Sequence, residues 1–202
     1  MIPGLYLVTE ENLSKGRTNA EIVKAAIKGG VKIVQLREKD WPKEKYWKEA
    51  IKLRKICRDH HVLFIVNDYP DVAKDIAADG LHLGQSDMPI AEARKIVGRM
   101  CIGKSTHSKE QAWAAQDEGA DYISIGPIFP TRKKPNPVTS RLIREVAPYL
   151  KTPFVAIGGI KLSNIGEVLA AGAKTVAVIS AIVEAEDVEE TTRQFVHKLQ
   201  GG

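Results

Sequence analysis

Several common features are scarce or missing in this sequence of 202 residues, and each absence excludes a class of protein. Only two cysteines are present, Cys57 and Cys101, which excludes a disulfide scaffold and favours reduced thiols. The 16 glycines follow no triplet period, which excludes collagen. No apolar run reaches the roughly 18 residues of a membrane span, so we expect no membrane partner. The first residues lack the basic and then apolar pattern of a signal peptide, so we expect a cytoplasmic protein.

The charge of the chain is mildly positive, with 30 Lys and Arg residues against 25 Asp and Glu residues. Hydrophobic residues at 44% and charged residues at 27% exclude a disordered chain. The positive charges are interspersed and no recognition motif is present, so we expect no nucleic-acid partner. Instead, we expect a few of the cations to line a site for an anion. The sequence leaves the oligomeric state open, with a homo-oligomer among the alternatives.

Short apolar runs rich in β-branched residues alternate with helical patterns along the chain. The runs predict strands at 5–8, 32–36, 63–66, 80–83, 101–103, 122–125, 154–157 and 175–179. The helical patterns predict helices at 19–28, 43–59, 70–77, 89–97, 108–118, 139–150, 163–171 and 187–199. Near-continuous apolar strands are typical of a parallel sheet that helices cover. Eight such units without a Gly-x-Gly-x-x-Gly turn favour an α/β protein with a (β/α)8 TIM barrel over an open doubly wound sheet.

Turn and cap signals refine this prediction. No linker rich in Ser, Gly or Pro divides the chain, so we predict a single barrel domain over residues 1–202 with a frayed C-terminus. Two capping boxes are predicted, Thr18 with Glu21 and Ser108 with Gln111. Glycines recur where a helix passes into a strand, at 29–30, 80, 119 and 172. We predict that they supply the left-handed residue that ends each helix.

Polar side chains follow most of the predicted strands, and in a barrel these strand ends meet at one rim. They are Thr9, Gln35, Arg37, Lys39, Asn67, Asp68, Gln85, Asp87, Ser105, His107, Thr131, Arg132, Lys133, Lys134 and Ser180, and the glycine pair Gly158 and Gly159 follows the seventh strand. Asp68 and Asp87 suit a metal–diphosphate complex, because carboxylate oxygens hold a hard cation such as Mg2+. Arg37, Lys39 and Lys134 would share the phosphate charge. The alternative is that each aspartate only caps the helix that follows it.

Other residues at the strand ends have less specific interpretations. The backbone N–H groups of Gly158-Gly159 and Ser180-Ala181 are predicted to bind a phosphate, with a tight turn that binds no ligand as the alternative. His82 alternates with two leucines, so we expect a packed histidine. We expect His107 to be a rim or capping residue. No Cys/His cluster has the spacing of a zinc site.

One set of motifs covers the chain from residue 5 to residue 182. It comprises the residues 35–39 (QLREK), 67–68 (ND), 78–87 (ADGLHLGQSD), 103–108 (GKSTHS), 120–122 (ADY), 126–131 (GPIFPT), 157–160 (IGGI) and 178–182 (VISAI). In order and spacing these motifs resemble the thiamine phosphate synthase family. The resemblance implies a transferase of thiamine biosynthesis, which joins a hydroxymethylpyrimidine diphosphate to a thiazole phosphate and releases thiamine monophosphate and diphosphate.

Carried over residue by residue, the resemblance also implies the roles of individual side chains. The pyrimidine diphosphate would be bound by Gln35, Leu36, Arg37, Glu38, Lys39, Asn67, Ser105 and Lys134, of which Arg37, Lys39, Ser105 and Lys134 would be catalytic. The thiazole phosphate would be bound by Thr131, Arg132, Lys133, Gly159, Ile179 and Ser180. Asp68 and Asp87 would hold Mg2+. We expect a dissociative displacement, because the amino group of the pyrimidine can stabilise a positive charge on its methylene carbon.

The sequence departs from the family pattern at one place. The family usually has Thr-x-Thr-Lys after its Phe-Pro pair, and here the second threonine is replaced by Lys133. A charged side chain therefore stands where a hydroxyl contact to the thiazole phosphate is expected. Two alternatives to the synthase stay open, a thiazole tautomerase-like isomerase and a non-catalytic barrel that binds a phosphorylated ligand. The intact Asp68 and Asp87 pair favours the synthase.

Overall fold

Parallel strands close into a barrel at the centre of the computed structural model, which describes residues 3–201. The strands are β1 (Gly4–Val8), β2 (Ile33–Leu36), β3 (Leu63–Asn67), β4 (Gly80–Leu83), β5 (Cys101–Thr106), β6 (Tyr122–Ile125), β7 (Phe154–Ile157) and β8 (Thr175–Val178). Each strand pairs with its neighbours in sequence, and β1 pairs with β8 to close the sheet. The predicted (β/α)8 barrel is therefore confirmed.

Helices surround the barrel and alternate with its strands. They are α1 (Asn19–Lys28), α2 (Lys43–Asp59), α3 (Pro70–Asp75), α4 (Ile90–Val97), α5 (Lys109–Asp117), α6 (Thr139–Val146), α7 (Ile165–Ala170), α8 (Ser180–Val183) and α9 (Val188–Gln200), with a 3-10 turn at Glu11–Leu13. The 3-10 turn and α8 were not predicted. Helix α9 continues to Gln200, where fraying was predicted, and Gly202 lies outside the described residues. Within residues 3–201, no helix has both the length and the apolar character that a membrane crossing needs.

Two apolar layers stabilise the barrel. The larger layer lies between the strands and the helices and contains fully buried side chains such as Leu7, Val34 and Phe64. The smaller layer fills the barrel interior and consists of Tyr6, Val8, Ile33, Ile65, Tyr122, Val155 and Ala177. Because side chains alternate along a strand, the interior face also carries the residues two positions further along, towards the carboxyl end of the barrel. Several of these residues are polar, and they form part of the site described below.

The predicted caps are only partly correct. Both hydrogen bonds of the box between Thr18 and Glu21 are present. Ser108 accepts from the Gln111 N–H as predicted, but the Gln111 side chain accepts from the His107 N–H at 2.8 Å instead of returning to Ser108. The second box is therefore half formed.

The glycines at the joints between helices and strands follow the prediction with one exception. Positive φ angles occur at Gly30, Gly119 and Gly172. At the joint before β4, Ala77 has the positive φ of +48° and Gly80 is already a strand residue. A Cβ atom on Gly80 would lie 2.7 Å from Ile65 Cδ1, so this glycine is required by close packing inside the barrel and not by its φ angle.

Candidate active site

The carboxylates of Asp68 and Asp87 come together at the carboxyl end of the barrel. Asp68 directly follows β3, and Asp87 lies in the loop after β4. Burial and the neighbouring Asp87 carboxyl raise the pKa of Asp68 to about 6. Burial alone would raise the pKa of Asp87, but the hydrogen bonds with Asp68 and with the Gly84 N–H outweigh this effect and lower the pKa. The two carboxyl groups therefore influence each other's ionisation, as expected for like charges that lie close together.

Asp68 lies in a strained turn, and one of its oxygens has no partner. Its φ angle is +68°, and the Tyr69 N–H donates to the Asn67 carbonyl oxygen at 2.9 Å across a three-residue turn. Oδ2 of Asp68 lies 3.5 Å from Lys39 Nζ, whereas Oδ1 is buried and accepts no hydrogen bond from residues 3–201. An unpaired buried carboxylate oxygen is costly, so its presence at a strand end indicates a binding position.

Asp87 is held by the loop that contains it. The Gly84 N–H donates to Asp87 Oδ2 at 2.5 Å, and Lys104 Nζ donates to the Gly84 carbonyl oxygen at 2.8 Å. A Cβ atom on Gly84 would lie 2.8 Å from the same carboxylate oxygen. The N-cap residues of α3 and α4 are Tyr69 and Pro89, neither with a side-chain cap bond. The alternative that the two aspartates cap these helices is therefore wrong.

The donor set formed by Asp68 and Asp87 fits a magnesium ion. Mg2+ prefers oxygen ligands and is usually bound through one or two carboxylates together with substrate phosphates. The unpaired Oδ1 of Asp68 is such an oxygen. Among residues 3–201, no group of three or more His, Cys, Asp or Glu side chains is arranged to hold a metal. The other ligands of an ion at this place would therefore have to come from substrate and water.

Positive side chains lie close to one another beside this pair. Burial and repulsion by Arg37 and Lys39 lower the pKa of Lys134. Nζ of Lys134 lies 3.1 Å from His107 Nε2, which orients the ammonium group. His107 is thus a rim residue, as predicted. Like charges held close to one another attract a polyanion.

The loop after β2 is anchored by Glu38. Oε1 of Glu38 accepts three hydrogen bonds, from Thr9 Oγ1 at 3.0 Å, the Glu11 N–H at 2.9 Å and Asn19 Nδ2 at 2.9 Å. Burial raises the pKa of this carboxyl group. The Leu36 side chain is fully buried in the larger apolar layer. The side chains of Leu36 and Glu38 therefore contact the scaffold, and the structure does not bring them to the rim with Arg37 and Lys39.

Tyr46 on α2 ties together the ends of the two strands that carry these residues. Its hydroxyl donates to the Leu36 carbonyl oxygen at 2.7 Å and accepts from the Asn67 N–H at 3.0 Å. Asn67, the last residue of β3, is buried beside the Asp68 turn. The helix packed outside the barrel thus fixes the backbone from which Asp68 and Arg37 project.

Polar residues inside the barrel form a connected group below the rim. Ser105 lies within β5, and not beyond its end as predicted, because this strand continues to Thr106. His82 Nε2 lies 2.9 Å from Ser105 Oγ, and His82 Nδ1 lies 2.9 Å from the Tyr122 hydroxyl. Gln35 Nε2 donates to the Tyr6 hydroxyl at 2.7 Å. Burial lowers the pKa of His82 to about 4, so this histidine is neutral at pH 7.

Sequence reasoning assigned no site role to Tyr6, His82 or Tyr122. It sorted residues by whether they followed a strand, and these three lie within strands. The signal that could have found them is the alternation along each strand, which places His82 on the inward face together with Gln35 and Ser105.

The glycine pair after β7 packs against the loop that follows β6. The φ angles are +102° at Gly158 and +65° at Gly159. A Cβ atom on Gly158 would lie 2.5 Å from Pro127 Cα, and one on Gly159 would lie 2.8 Å from the Pro130 carbonyl oxygen. Contacts within the protein therefore require both glycines, whatever ligand is bound. The structure brings Gly159 next to the loop that begins at Thr131.

This basic loop is closed by paired backbone hydrogen bonds. The Thr131 N–H donates to the Lys134 carbonyl oxygen at 3.0 Å, and the Lys134 N–H donates back at 3.2 Å. Arg132 forms an ion pair at 3.1 Å with Glu184, which follows α8, and α8 begins at Ser180 directly after Ile179. Lys133 pairs with Glu10, a rim carboxylate that sequence reasoning missed although it follows β1. The loop thus lies beside the ends of β7 and β8.

Known proteins resemble this chain over nearly its whole length. Residues 5–182 match the family described as thiamine monophosphate synthase. The chain belongs to the thiamine monophosphate synthase family. It is 45% identical over 200 residues to the thiamine-phosphate synthase of Shouchella clausii, which covers 97% of this chain and 96% of that protein. It is 47% identical over 195 residues to the thiamine-phosphate synthase of Halalkalibacterium halodurans, which covers 95% and 92%.

A solved structure agrees with this membership. The thiamine phosphate pyrophosphorylase from Pyrococcus furiosus superimposes with a TM-score of 0.92 at 37% identity, covering 98% of this chain and 96% of that one. The predicted resemblance to the thiamine phosphate synthase family is confirmed, and the chain is a transferase of thiamine biosynthesis. The two alternatives, a tautomerase-like isomerase and a non-catalytic binding barrel, are not favoured, because these relatives carry the synthase name.

Proposed function

We propose that this chain joins a hydroxymethylpyrimidine diphosphate to a thiazole phosphate, forming thiamine monophosphate and releasing diphosphate. One observation carries the proposal. The Asp68 and Asp87 pair, with an unpaired buried oxygen on Asp68, lies beside a group of cations that repel one another. A bound diphosphate would offset the repulsion among these cations, and the hard cation bound with it would contact the unpaired Asp68 oxygen.

The pyrimidine diphosphate is proposed to bind between the rim and the barrel interior. Arg37, Lys39 and Lys134 would contact its phosphate oxygens. Gln35, Asn67 and Ser105 would hold the pyrimidine, since they lie at the carboxyl ends of β2, β3 and β5. Leu36 and Glu38 would contribute through backbone groups, because their side chains are occupied by the scaffold.

Asp68 and Asp87 are proposed to hold Mg2+. When bound, Mg2+ would supply positive charge that offsets the negative charge growing on the diphosphate as it leaves. Lys39 adds a second positive charge beside Asp68 Oδ2. Binding would also occupy the Asp68 oxygen that accepts no hydrogen bond in the protein alone.

The chemical step that we propose is a dissociative displacement. The bond between the methylene carbon of the pyrimidine and a diphosphate oxygen breaks, and its electron pair leaves with the diphosphate. The thiazole ring nitrogen then donates its lone pair to the methylene carbon. Arg37, Lys39 and Lys134 stabilise the departing charge, and the barrel mouth holds the two substrates in line. The protein needs no nucleophile for this reaction.

The thiazole phosphate is proposed to bind on the opposite side of the rim, through Thr131, Arg132, Lys133, Gly159, Ile179 and Ser180. Two contacts support this placement. Gly159 packs against Pro130, and Arg132 reaches the residue that follows α8. Lys133, in place of the family's threonine, pairs with Glu10 and lies mostly in solvent. We therefore propose that its contribution is electrostatic and small.

The proposed substrates are phosphorylated small molecules. Charged compounds of this kind do not cross a lipid bilayer freely. This supports our proposal of a cytoplasmic location.

A direct assay tests the proposed reaction. The full chain is incubated with both substrates and Mg2+, and thiamine monophosphate is measured as fluorescent thiochrome after oxidation. We expect product only when both substrates and Mg2+ are present, with one diphosphate released for each thiamine monophosphate. Omission of either substrate and addition of a chelator are the controls. Absence of product from the complete mixture would contradict the proposal, and isomerisation of the thiazole phosphate alone would favour the tautomerase.

A further inference from the structure

Five side chains form a continuous line of hydrogen bonds across the inside of the barrel, from β2 to β5. Gln35 Nε2 contacts the Tyr6 hydroxyl at 2.7 Å, and the Tyr6 and Tyr122 hydroxyls lie 3.0 Å apart. Tyr122 contacts His82 Nδ1 at 2.9 Å, and His82 Nε2 contacts Ser105 Oγ at 2.9 Å. We call these five residues the interior chain. It runs between two of the residues that the proposed function places on the pyrimidine.

The fold makes room for this chain at one glycine. A Cβ atom on Gly103 would lie 2.1 Å from Tyr122 Cζ and 2.6 Å from His82 Nδ1. Any other residue would push Tyr122 and His82 apart. Tyr6, Tyr122 and His82 are buried, so their polar atoms depend on one another for partners. The contact between His82 and Tyr122 is therefore a built feature of the barrel.

The hydrogen bonds of the chain have a direction. The Gln35 amide donates to Tyr6, and a hydroxyl carries one hydrogen, which Tyr6 can pass on only to Tyr122. Tyr122 then donates to His82 Nδ1. A neutral histidine that accepts at Nδ1 carries its hydrogen on Nε2, and this hydrogen is donated to Ser105 Oγ. With the Gln35 amide donating to Tyr6, every buried hydrogen of the chain has an acceptor in this arrangement.

The direction determines what Ser105 offers at the rim. Its Oγ accepts from His82 Nε2 and, more weakly, from Ser124 Oγ at 3.4 Å. A hydroxyl oxygen has two lone pairs, so both are used and only its own hydrogen remains. We propose that the interior chain presets Ser105 as a hydrogen-bond donor to the pyrimidine substrate, with His82 as the positioning residue. This inference deepens the proposed function and rests on it for the identity of the substrate.

The first test reads the tautomer of His82 and needs no substrate. Ring nitrogens of the 15N-labelled full chain are recorded at pH 7 through their couplings to the ring protons, and the His82 signals are assigned by their loss in His82→Gln. We expect Nε2–H in the wild-type protein. In Tyr122→Phe we expect a mixture of tautomers, because phenylalanine cannot donate to Nδ1. An Nδ1–H tautomer or a doubly protonated ring in the wild-type protein would overturn the proposal, whether or not the chain makes thiamine monophosphate.

The second test asks whether Tyr122 acts through Ser105. We compare kcat/KM for the pyrimidine diphosphate in Ser105→Ala, Tyr122→Phe and the double variant. We expect a loss of about tenfold in Ser105→Ala, a loss of about fivefold in Tyr122→Phe, and no further loss in the double variant. KM for the thiazole phosphate should stay unchanged in all three. Losses that multiply in the double variant would show a merely structural role and overturn the proposal.

A matched variant controls for the loss of a buried hydroxyl. Thr192 on α9 is fully buried, and its hydroxyl donates to the Val188 carbonyl oxygen at 2.6 Å, outside the catalytic and binding residues. Thr192→Val keeps the shape and removes this hydrogen bond. We expect lower stability with unchanged kcat/KM. Loss of activity in this control equal to that in Tyr122→Phe would also overturn the proposal.

Discussion

The interior of the barrel and its rim use polar residues in opposite ways. In the interior chain every buried hydrogen has an acceptor, and burial keeps His82 neutral. At the rim, Asp68 Oδ1 has no partner, and burial and nearby Arg37 lower the pKa of Lys134. Apart from the Ser105 hydrogen that is left for the substrate, the interior chain is satisfied without a ligand, whereas the rim needs one. A barrel can therefore have satisfied hydrogen bonds below its site and uncompensated charges at the site itself. Catalysis by charge stabilisation requires this combination.

A backbone contact joins the two regions. The Asp68 N–H donates to the His82 carbonyl oxygen at 3.0 Å, so the strained turn at the rim is attached to the strand that carries the interior histidine. The strand that carries His82 therefore helps to hold the strained turn at Asp68 in place. Substitutions in the rim and in the interior can therefore separate the contributions of the two regions to activity and to stability.

The largest effect on activity is expected from Asp68→Asn. The amide keeps the shape but removes a negative charge from the proposed metal site, so we expect kcat to fall by about a hundredfold or more. Stability in the presence of a chelator should not fall at pH 8, because the substitution also removes a negative charge whose Oδ1 is buried without a hydrogen bond from residues 3–201. Both quantities are measured, by product formation and by thermal denaturation.

Asp71→Asn is the matched control for this variant. Asp71 lies three residues further along the chain, is exposed, and pairs with Lys43. Its substitution should leave kcat unchanged. Full activity in Asp68→Asn would remove the basis for the proposed metal site.

The largest effect on stability is expected inside the barrel, from Gly103→Ala. The added methyl group would overlap the Tyr122 ring and break the contact with His82. We expect the free energy of unfolding to fall by about 2–4 kcal/mol, from overpacking and the lost hydrogen bond. Denaturant titration measures it. Gly166→Ala on α7 is the control, since a Cβ there meets no atom within 4 Å and alanine favours a helix. Equal stability of the two variants would show that the interior is not tightly packed.

The sequence predicted the barrel because its signal is local. Apolar runs such as 154–157 and 175–179 read as strands buried on both faces, and their regular alternation with helices indicated closure. The rim followed from the same reading, since Asp68 and Asp87 stand directly beyond or shortly after strand ends. Polar residues at those ends must meet in a parallel barrel, whatever the exact strand limits.

The interior chain could not be predicted in the same way. His82 in isolation reads as a packed histidine, and only the packing of β4 against β5 and β6 brings it to Ser105 and Tyr122. The need for Gly103 arises from atoms of two other strands. The direction of the Glu38 side chain could likewise not be predicted, because its partners Thr9 and Asn19 lie much earlier in the sequence. Such contacts depend on three-dimensional proximity that no local pattern encodes.

The rim and the interior should contribute to the pH dependence of the unfolding free energy with opposite signs. Folded Asp68 has a pKa of about 6, above its ordinary 3.8, so the folded state keeps a proton that the unfolded state loses, and stability falls as pH rises through this window. Folded His82 has a pKa of about 4, below its ordinary 6.5, so the unfolded state gains a proton that the folded state lacks, and stability falls as pH drops through this window. We expect each contribution to be about 1–2 kcal/mol.

Unfolding free energies at about pH 4.5 and about pH 6.5, with a chelator present, test these signs. Relative to the wild-type protein, Asp68→Asn should gain stability towards the higher pH, because the falling contribution is gone. His82→Gln should gain stability towards the lower pH for the converse reason. Thr192→Val should run parallel to the wild-type protein at both values. Shifts of the same sign in the first two variants would contradict the contrast between rim and interior.

A smaller effect is expected from Lys134→Ala. Burial and the charges of Arg37 and Lys39 lower the pKa of Lys134, so its ammonium group is held where a diphosphate would relieve the repulsion. We expect the dissociation constant of the pyrimidine diphosphate to rise about tenfold and that of the thiazole phosphate to change little. Separate calorimetric titrations of the two ligands measure this. A larger increase in the dissociation constant of the thiazole phosphate would show that Lys134 binds that substrate and not the pyrimidine diphosphate.

The smallest effect is expected one residue earlier, from Lys133→Thr, which restores the family's threonine. Lys133 is 68% exposed and pairs with Glu10 at the surface, where an ion pair contributes about 0–1 kcal/mol. We therefore expect kcat/KM for the thiazole phosphate to change by no more than about twofold. Glu10, once released, would have only Arg37 as its nearest cation, at 4.0 Å, so any weakening should appear in the KM of the pyrimidine diphosphate. Adding Glu10→Gln should reverse that weakening. A large loss of kcat/KM for the thiazole phosphate in Lys133→Thr would show that Lys133, and not a hydroxyl, binds this phosphate.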